Sequence, residues 1–172
     1  MDEKIQIFIS HKKEDKGKAI KISNYIEKNF GFSTYVDVLD DEIEEYENVT
    51  ERIVSQLRES THLLVIFSEY TKDYMWVPFE LGVAYEREEG IGVYIWPNNY
   101  DSFREHELPE YLEEFPKIKT EEHLDEYLRL IKERPNKKIL LERKESLGFT
   151  VEPSEINYAQ EFINELKKRL EQ

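Results

Sequence analysis

Residues 62–68 read His-Leu-Leu-Val-Ile-Phe-Ser, the most hydrophobic of the strand-like runs in the chain. A short run rich in aliphatic and aromatic residues predicts a buried β-strand. Further strand-like runs lie at residues 5–10, 33–38 and 92–96. They alternate with helical periodicity at residues 16–30, around an apolar stripe at Val49, Ile53 and Leu57, and at residues 77–89. This alternation predicts an α/β protein whose parallel sheet is covered by helices on both faces.

The second half of the chain is less regular. Residues 109–112 and 115–118 indicate a short helix and a short edge strand, and residues 120–134 an amphipathic helix. Residues 139–141 predict a strand or a loop, and residues 154–171 a final helix. We expect one domain over residues 1–134 and a C-terminal extension, residues 135–172, packed on the same domain.

Composition narrows the classes of function. The 172 residues carry 24 basic and 38 acidic side chains, a net charge of −14, which argues against binding to nucleic acid or to an anionic membrane surface. No apolar run approaches the roughly 20 residues that span a bilayer. The first residues lack the features of a signal peptide, so we expect a cytoplasmic protein. The absence of cysteine excludes thiolate nucleophiles and cysteine-ligated zinc.

Common cofactor motifs are also missing. The six glycines form neither the dinucleotide-binding pattern nor the P-loop pattern. The histidines show no metal-ligand spacing, and we expect each to be a surface or edge residue: His11, His62, His106 and His123. The sequence therefore predicts no metal and no bound cofactor.

Glu80 stands out because it is the only charged residue in the stretch 77–85, in a chain that is 36% charged. An acid in such apolar surroundings is costly unless it is paired or used in chemistry. The stretch follows the hydrophobic run at residues 62–68, and α/β proteins place their sites at the carboxyl ends of parallel strands. Glu80 is also compatible with an ordinary acid near a helix N-terminus, where the helix dipole favours negative charge.

Four segments, in order, resemble the TIR domain family. Phe8-Ile9-Ser10-His11, followed by Lys12-Lys13-Glu14-Asp15, is similar to the first conserved box of the family. Residues 31–38 and 60–68 resemble its second and third strands, with Asp37 near the end of the second. Trp76 and Glu80-Leu81 resemble the tryptophan–glutamate signature that opens the next helix. The similarity covers roughly residues 4–134, and the stretch at residues 108–112 also resembles the later part of bacterial members.

The resemblance implies a fold and an activity. The fold is a flavodoxin-like three-layer sandwich with a five-stranded parallel sheet in the order 2-1-3-4-5, followed here by the C-terminal helical extension. Enzymatic TIR domains cleave the nicotinamide–ribose bond of NAD, and some cyclise or transfer the ADP-ribose. NAD would thus be a substrate and not a cofactor. Similarity to bacterial members implies a part in antiphage defence, through NAD depletion or a nucleotide signal to an effector protein.

Roles for individual residues follow from the matching positions. Glu80 would be the catalytic residue, placed in the first helical turn, and Trp76 would stack on or wall the substrate. Ser10 and His11 would border the ribose and phosphates, and Lys12 and Lys13 would meet the pyrophosphate. Asp37 would lie at the same edge of the sheet.

One loop departs from the family pattern. In the family, the loop after the second strand mediates assembly and borders the nucleotide site, which implies a homo-oligomer formed through TIR–TIR contacts. Here residues 39–47 form a strongly acidic loop without glycine.

Two other functions fit the sequence. A non-catalytic TIR module that scaffolds protein–protein interactions would have the same fold and would release no nicotinamide. A nucleoside deoxyribosyltransferase-like enzyme would share the flavodoxin-like layout and a catalytic glutamate. It would exchange bases on deoxynucleosides and leave NAD untouched.

Overall fold

A computed structural model describes residues 4–36, 49–96, 108–134, 144–148 and 157–172. Its centre is a parallel sheet of five strands in the order β2-β1-β3-β4-β5. The strands are β1 (Gln6–Ser10), β2 (Ser33–Val36), β3 (His62–Phe67), β4 (Gly90–Ile95) and β5 (Lys117–Ile118). The α/β class and the strand order predicted from the sequence are confirmed.

Among the described residues, the α-helices longer than one turn are α1 (Lys16–Phe30), α2 (Val49–Glu59), α3 (Trp76–Glu86), α4 (Glu121–Glu133) and α5 (Tyr158–Arg169). Short 3₁₀ turns precede α1 (Lys13–Asp15) and β5 (Glu110–Leu112). Local sequence explains several boundaries. Gly31 ends α1 in the left-handed conformation, with φ of 70°. The side chains of Thr120 and Asn157 accept hydrogen bonds from backbone N–H groups in the first turns of α4 and α5.

The two faces of the sheet bury two separate apolar clusters. One face packs against α1, α4 and α5, with Ile9 of β1 and Leu64 of β3 among its members. The opposite face packs against α2 and α3, with Phe8 of β1 and Val65 of β3 among its members. Neighbouring residues of one strand point to opposite faces. Every side chain of β3 is consequently buried, as expected for a central parallel strand.

The connection between α3 and β4 differs from the prediction. Helix α3 ends at Glu86, before the predicted residue 89, and β4 begins at Gly90 instead of residue 92. Gly90 was expected to end the helix, but it pairs with His62 as the first residue of the strand. The chain reverses at Glu88, which adopts a positive φ of 58° without being glycine. Glycine adopts this conformation far more readily than glutamate, which is why the sequence pattern indicated Gly90 and not Glu88.

His62 is fully buried, so the expectation of a surface or edge position is wrong for this histidine. Its Nδ1 lies 2.8 Å from the hydroxyl of Thr61, and its ring packs 5.7 Å from that of Phe162 in α5. Nε2 has no hydrogen-bond partner among the described residues. Burial lowers the pKa of His62 to about 3, because the protonated ring would lose its hydration.

The last helix contributes directly to the core. Phe162 and Leu166 of α5 are completely buried against the sheet face that also carries α1 and α4. Beyond α5, the side-chain amide of Gln172 donates to the carbonyl of Lys117 at 2.6 Å and accepts from its N–H at 2.8 Å. These two hydrogen bonds occupy backbone groups of β5, the edge strand. The acidic loop at residues 39–47 and the segment at residues 139–141 lie outside the described residues.

Two glycines offer a matched test of this packing. A Cβ atom at Gly90 would lie 2.5 Å from Cδ2 of His62 and 3.0 Å from Cε2 of Phe162, whereas a Cβ at Gly82 in α3 would meet nothing within 4 Å. We expect Gly90→Ala to lower the free energy of unfolding by about 1–3 kcal/mol. Gly82→Ala should raise it by about 0.5–1 kcal/mol, because alanine favours the helix. Urea unfolding of both variants checks the pair, and equal effects would contradict the packing around His62.

The buried histidine predicts a pH dependence of stability. Its folded-state pKa of about 3 lies below the ordinary value of 6.5, so between these values the unfolded chain binds a proton that the folded chain does not. The free energy of unfolding should fall by about 1.4 kcal/mol for each pH unit below 6.5 on account of this group. His62→Phe should remove that contribution. As the pH is lowered from 7 to 4, the free energy of unfolding of His62→Phe should therefore rise relative to that of the wild type in urea titrations. A difference that does not change with pH would refute the prediction.

Candidate active site at the carboxyl edge of the sheet

Ser10 is the last residue of β1, at the carboxyl edge of the sheet, and is 1% exposed. It pairs with Val65 of β3 and follows Phe8 by two residues, so its side chain lies on the face covered by α2 and α3. The Ser10 hydroxyl has no hydrogen-bond partner among the described residues. A buried hydroxyl in this condition is costly, and a ligand oxygen at the edge of the sheet would relieve the cost.

Glu80 lies on the buried stripe of α3, together with Val77, Leu81 and Ala84. The other three residues belong to the cluster on the α2–α3 face of the sheet, so Glu80 is directed into the layer that also receives Ser10. It is 3% exposed. The 3.6-residue periodicity of the helix explains this position, since residues 77, 80, 81 and 84 share one side.

The helix begins one residue earlier than the sequence predicted, and this changes the surroundings of Glu80. Because Trp76 is the first residue of α3, Glu80 is the fifth and belongs to the second turn. It lies about 6 Å along the helix axis from Trp76. The effect of the helix dipole is concentrated in the first turn, so the expected stabilisation of the carboxylate by the helix N-terminus is weaker than the sequence suggested.

Trp76 stands at the start of α3, where the connection from β3 reaches the helix. Its indole is half-buried and packs edge-to-face on the ring of Phe79, with the ring centroids 5.7 Å apart. The spacing of four residues places Trp76 and Glu80 on the same side of the helix, one turn apart. The structure therefore brings Trp76, Glu80 and Ser10 to the same face of the sheet.

Three further predicted residues, His11, Lys12 and Lys13, follow β1. His11 is buried, with Nδ1 3.2 Å from the carbonyl oxygen of Ile9. Lys12 is half-exposed and lies 3.7 Å from Glu14, and Lys13 is exposed at the start of the 3₁₀ turn. Both ammonium groups thus stand near the carboxyl edge of β1. Asp37 lies outside the described residues.

A polar network at the same edge was not predicted from the sequence. Asp15 is completely buried; it accepts a hydrogen bond from the hydroxyl of Ser68 through Oδ2 and contacts Nζ of Lys18 at 2.6 Å through Oδ1. Ser68 in turn accepts from the backbone N–H of Tyr70 at 3.1 Å and donates its own N–H to the Thr71 hydroxyl at 3.1 Å. The network joins the loop after β1 to the loop after β3. Asp15 belongs to the first box quoted above, but its partner Ser68 is 53 residues away.

Two aromatic rings, those of Tyr70 and Trp96, lie beside the Lys18 ammonium at the same edge of the sheet. Nζ of Lys18 lies 5.8 Å from the ring centroid of Tyr70 and 5.5 Å from that of Trp96, which follows β4. Such distances allow a cation–π attraction. The carboxylate of Glu69 raises the pKa of the Tyr70 hydroxyl above its ordinary value, so the ring stays neutral at pH 7.

Two cavities flank the opposite sides of α3. One, of about 450 Å³, lies between α3 and α5 and is lined by Leu81, Tyr85 and Ile163 among others. The second, of about 530 Å³, lies between α2 and α3. Neither is lined by Ser10, Trp76 or Glu80, so the site predicted from chemistry is distinct from both.

Within the described residues, no group of three or more His, Asp or Glu side chains is placed to hold a metal ion. None of the described helices has the length and apolar character needed to cross a bilayer.

Comparison with known families identifies the fold. The family model described as TIR domain matches residues 7–133. The chain belongs to the TIR domain family. The matched range contains every predicted site residue, and it ends before α5. The match favours the interpretation of the chain as a TIR domain over the deoxyribosyltransferase-like alternative.

One solved structure supports this fold, and a second is similar at a lower score. A metazoan TIR-STING receptor from C. gigas superposes with a TM-score of 0.51 and 18% sequence identity over 72% of this chain and 38% of that chain. This TIR domain therefore spans less than half of the receptor it resembles. The TIR domains of the activated Roq1 resistosome, which directly recognises the pathogen effector XopQ, match at 16% identity and a TM-score of 0.44. They match over 95% of this chain and 84% of that chain. No curated protein matches the sequence.

The buried network of this TIR domain can be tested through stability. Asp15→Asn would remove the negative partner of Lys18 and weaken the hydrogen bond from Ser68. We expect the free energy of unfolding to fall by about 2–3 kcal/mol, somewhat less than for a fully buried pair because Lys18 still reaches water. The neighbouring Glu14→Gln is the matched control. Glu14 is exposed, and its loss should cost no more than about 0.5 kcal/mol. Equal losses in the two variants, measured by chemical unfolding, would show that the Asp15 network contributes nothing specific.

Proposed function

We propose that this TIR domain cleaves the nicotinamide–ribose bond of NAD, with Glu80 as the catalytic residue. The observation that supports the proposal is the burial of Glu80 on the sheet-facing side of α3, in the layer that also receives the Ser10 hydroxyl. A carboxylate so placed is unusual in a structural core. Family membership adds that some TIR domains cleave NAD.

The proposed reaction makes modest demands on the protein. The C–N bond between ribose and nicotinamide breaks, and its electron pair stays on the nicotinamide nitrogen, so the cationic ring leaves as neutral nicotinamide. The ribose develops positive charge, as in glycoside hydrolysis. A water oxygen then bonds to the anomeric carbon and releases one proton. The products are ADP-ribose, nicotinamide and H⁺.

The named residues would divide the work. The carboxylate of Glu80 stabilises the positive charge on the ribose, and its removal from bulk water strengthens that interaction. The Ser10 hydroxyl, at the end of β1, donates to an oxygen of the ribose or phosphate. Trp76 walls the nicotinamide side, while Lys12 and Lys13 attract the pyrophosphate. These local cations matter because the net charge of −14 disfavours an anionic substrate.

A wider role follows as part of the proposal. Cleavage of NAD would either deplete the nucleotide or generate an ADP-ribose-derived signal for an effector protein, in line with the resemblance to bacterial antiphage systems. Assembly through TIR–TIR contacts would bring active sites together. After phage infection, we expect cells that carry the wild-type chain to lose NAD. Cells that carry Glu80→Gln should keep it.

The direct test is incubation of the concentrated protein with NAD, followed by chromatography of the products. We expect the wild type to release nicotinamide and Glu80→Gln to lose at least about 100-fold in rate, since the substitution removes the charge and keeps the shape. Glu86→Gln is the matched control, because Glu86 lies on the exposed side of the same helix. It should retain the wild-type rate.

The outcomes separate the competing functions. Equal rates in wild type and Glu80→Gln, with both proteins folded by circular dichroism, would refute the assignment of Glu80. No nicotinamide from the wild type, even under crowding, would favour the non-catalytic interaction module. Base exchange on deoxynucleosides with NAD intact would favour the deoxyribosyltransferase-like enzyme.

A further inference from the structure

Lys18 is held at the carboxyl edge by contacts from three different loops. Its ammonium lies 2.6 Å from the buried Asp15 on the loop after β1. The same nitrogen faces the ring of Tyr70, after β3, and the ring of Trp96, after β4. The lysine side chain is 23% exposed, so its position is fixed while part of it still reaches water.

The two rings beside Lys18 remain accessible. Tyr70 is 43% exposed, although it is a large aromatic residue, and Trp96 is half-buried. Trp96 packs on Tyr94, with the ring centroids 5.8 Å apart, which orients the indole. Exposed aromatic rings around the Lys18 ammonium are unnecessary for the ion pair alone, because the Asp15 carboxylate already balances its charge.

The arrangement has the chemistry of a nucleotide site. Aromatic rings stack on purine bases, and an ammonium group attracts phosphate oxygens. Tyr94 belongs to the apolar cluster on the α1 face, and Trp96 packs against that cluster, whereas Glu80 lies on the α2–α3 face. A ligand that contacts both Trp96 and Glu80 must cross the carboxyl edge of the sheet, where open α/β sheets bind their ligands.

We propose that Lys18, Tyr70 and Trp96 form a binding site for the adenosine-phosphate half of the nucleotide. The rings stack on the purine, and the Lys18 ammonium faces a phosphate oxygen. Asp15 acts as a positioning residue, because it fixes the ammonium and joins the loops that carry the site. The link to NAD rests on the proposed function, but binding of an adenine mononucleotide can be tested without any activity.

Tryptophan fluorescence provides the first test. The chain has two tryptophans, so Trp76→Phe leaves Trp96 as the single reporter. AMP should quench or shift the emission of Trp96. Nicotinamide mononucleotide, which has the phosphate but lacks the purine, should change it at least about tenfold less at the same concentration. No response to millimolar AMP, or equal responses to both nucleotides, would overturn the proposal.

Side-chain substitutions provide the second test, in the Trp76→Phe background and with AMP as ligand. Tyr70→Leu should weaken binding about tenfold, within the range of stacking energies measured for single aromatic residues. This variant should fold, because Tyr70 is exposed. Lys18→Met should weaken AMP about tenfold but adenosine, which lacks the phosphate, by less than twofold. Because this variant leaves the buried Asp15 without its cation, circular dichroism and urea unfolding must show that it is folded, and equal losses for AMP and adenosine in the folded variant would refute the phosphate contact.

The matched control is Lys21→Met, which removes the same charge from the exposed side of α1. It should leave the affinity for AMP unchanged. If Lys21→Met weakens AMP as much as Lys18→Met, the effect comes from net charge and the proposed site is wrong.

Failure of this inference can be distinguished from failure of the proposed function. If Trp96 reports AMP binding and no nicotinamide is released from NAD, the nucleotide site stands and the NAD-cleaving activity does not. If nicotinamide is released but Tyr70→Leu and Lys18→Met leave the KM for NAD unchanged, the activity stands and this site is refuted.

Discussion

The pairing of Asp15 is the interaction on which the carboxyl edge of the sheet depends. A completely buried carboxylate is tolerated only when charge and hydrogen bonds compensate its lost hydration, and here Lys18 and Ser68 supply both. Each partner comes from a different part of the chain: α1 and the loop after β3. The requirement to satisfy one buried charge therefore fixes the relative positions of two loops. The candidate substrate residues lie on those loops or next to them.

The same edge separates two kinds of chemistry. The α2–α3 face receives a carboxylate and an orphan hydroxyl, which suit a developing positive charge and a sugar. The α1 face has an ammonium and aromatic rings, which suit a phosphate and a base. A chain with a net charge of −14 repels anions at long range, so the few cations near the edge must act at short range. The proposed substrate, NAD, would match this division, with its nicotinamide ribose on the α2–α3 face and its adenine on the α1 face.

Sequence reasoning predicted what depends on periodicity and failed where distant residues decide. The alternation of strands and helices predicted the α/β class, and the resemblance to the TIR family implied the strand order. The spacing of Trp76 and Glu80 places them one turn apart on the same side of α3. The burial of His62 was missed because Phe162, which covers it, lies 100 residues later in the chain. Asp15 was quoted only as part of a motif, since nothing local indicates that Ser68 is its partner. The turn at Glu88 was missed because a glycine two residues later offered the easier explanation.

The helix that carries Glu80 is also held by residues outside the matched family range. On the side of α3 away from Glu80, the Tyr85 hydroxyl donates to Oε1 of Gln160 in α5 at 3.0 Å, across the rim of the smaller cavity. Phe162 of α5 covers His62 at the start of β3, and Gln172 occupies backbone groups of the edge strand. Because α5 buries Phe162 and Leu166 in the core, it cannot be removed without exposing apolar surface. A helix that the TIR family match does not include therefore contributes both to the core of the domain and to the surroundings of α3.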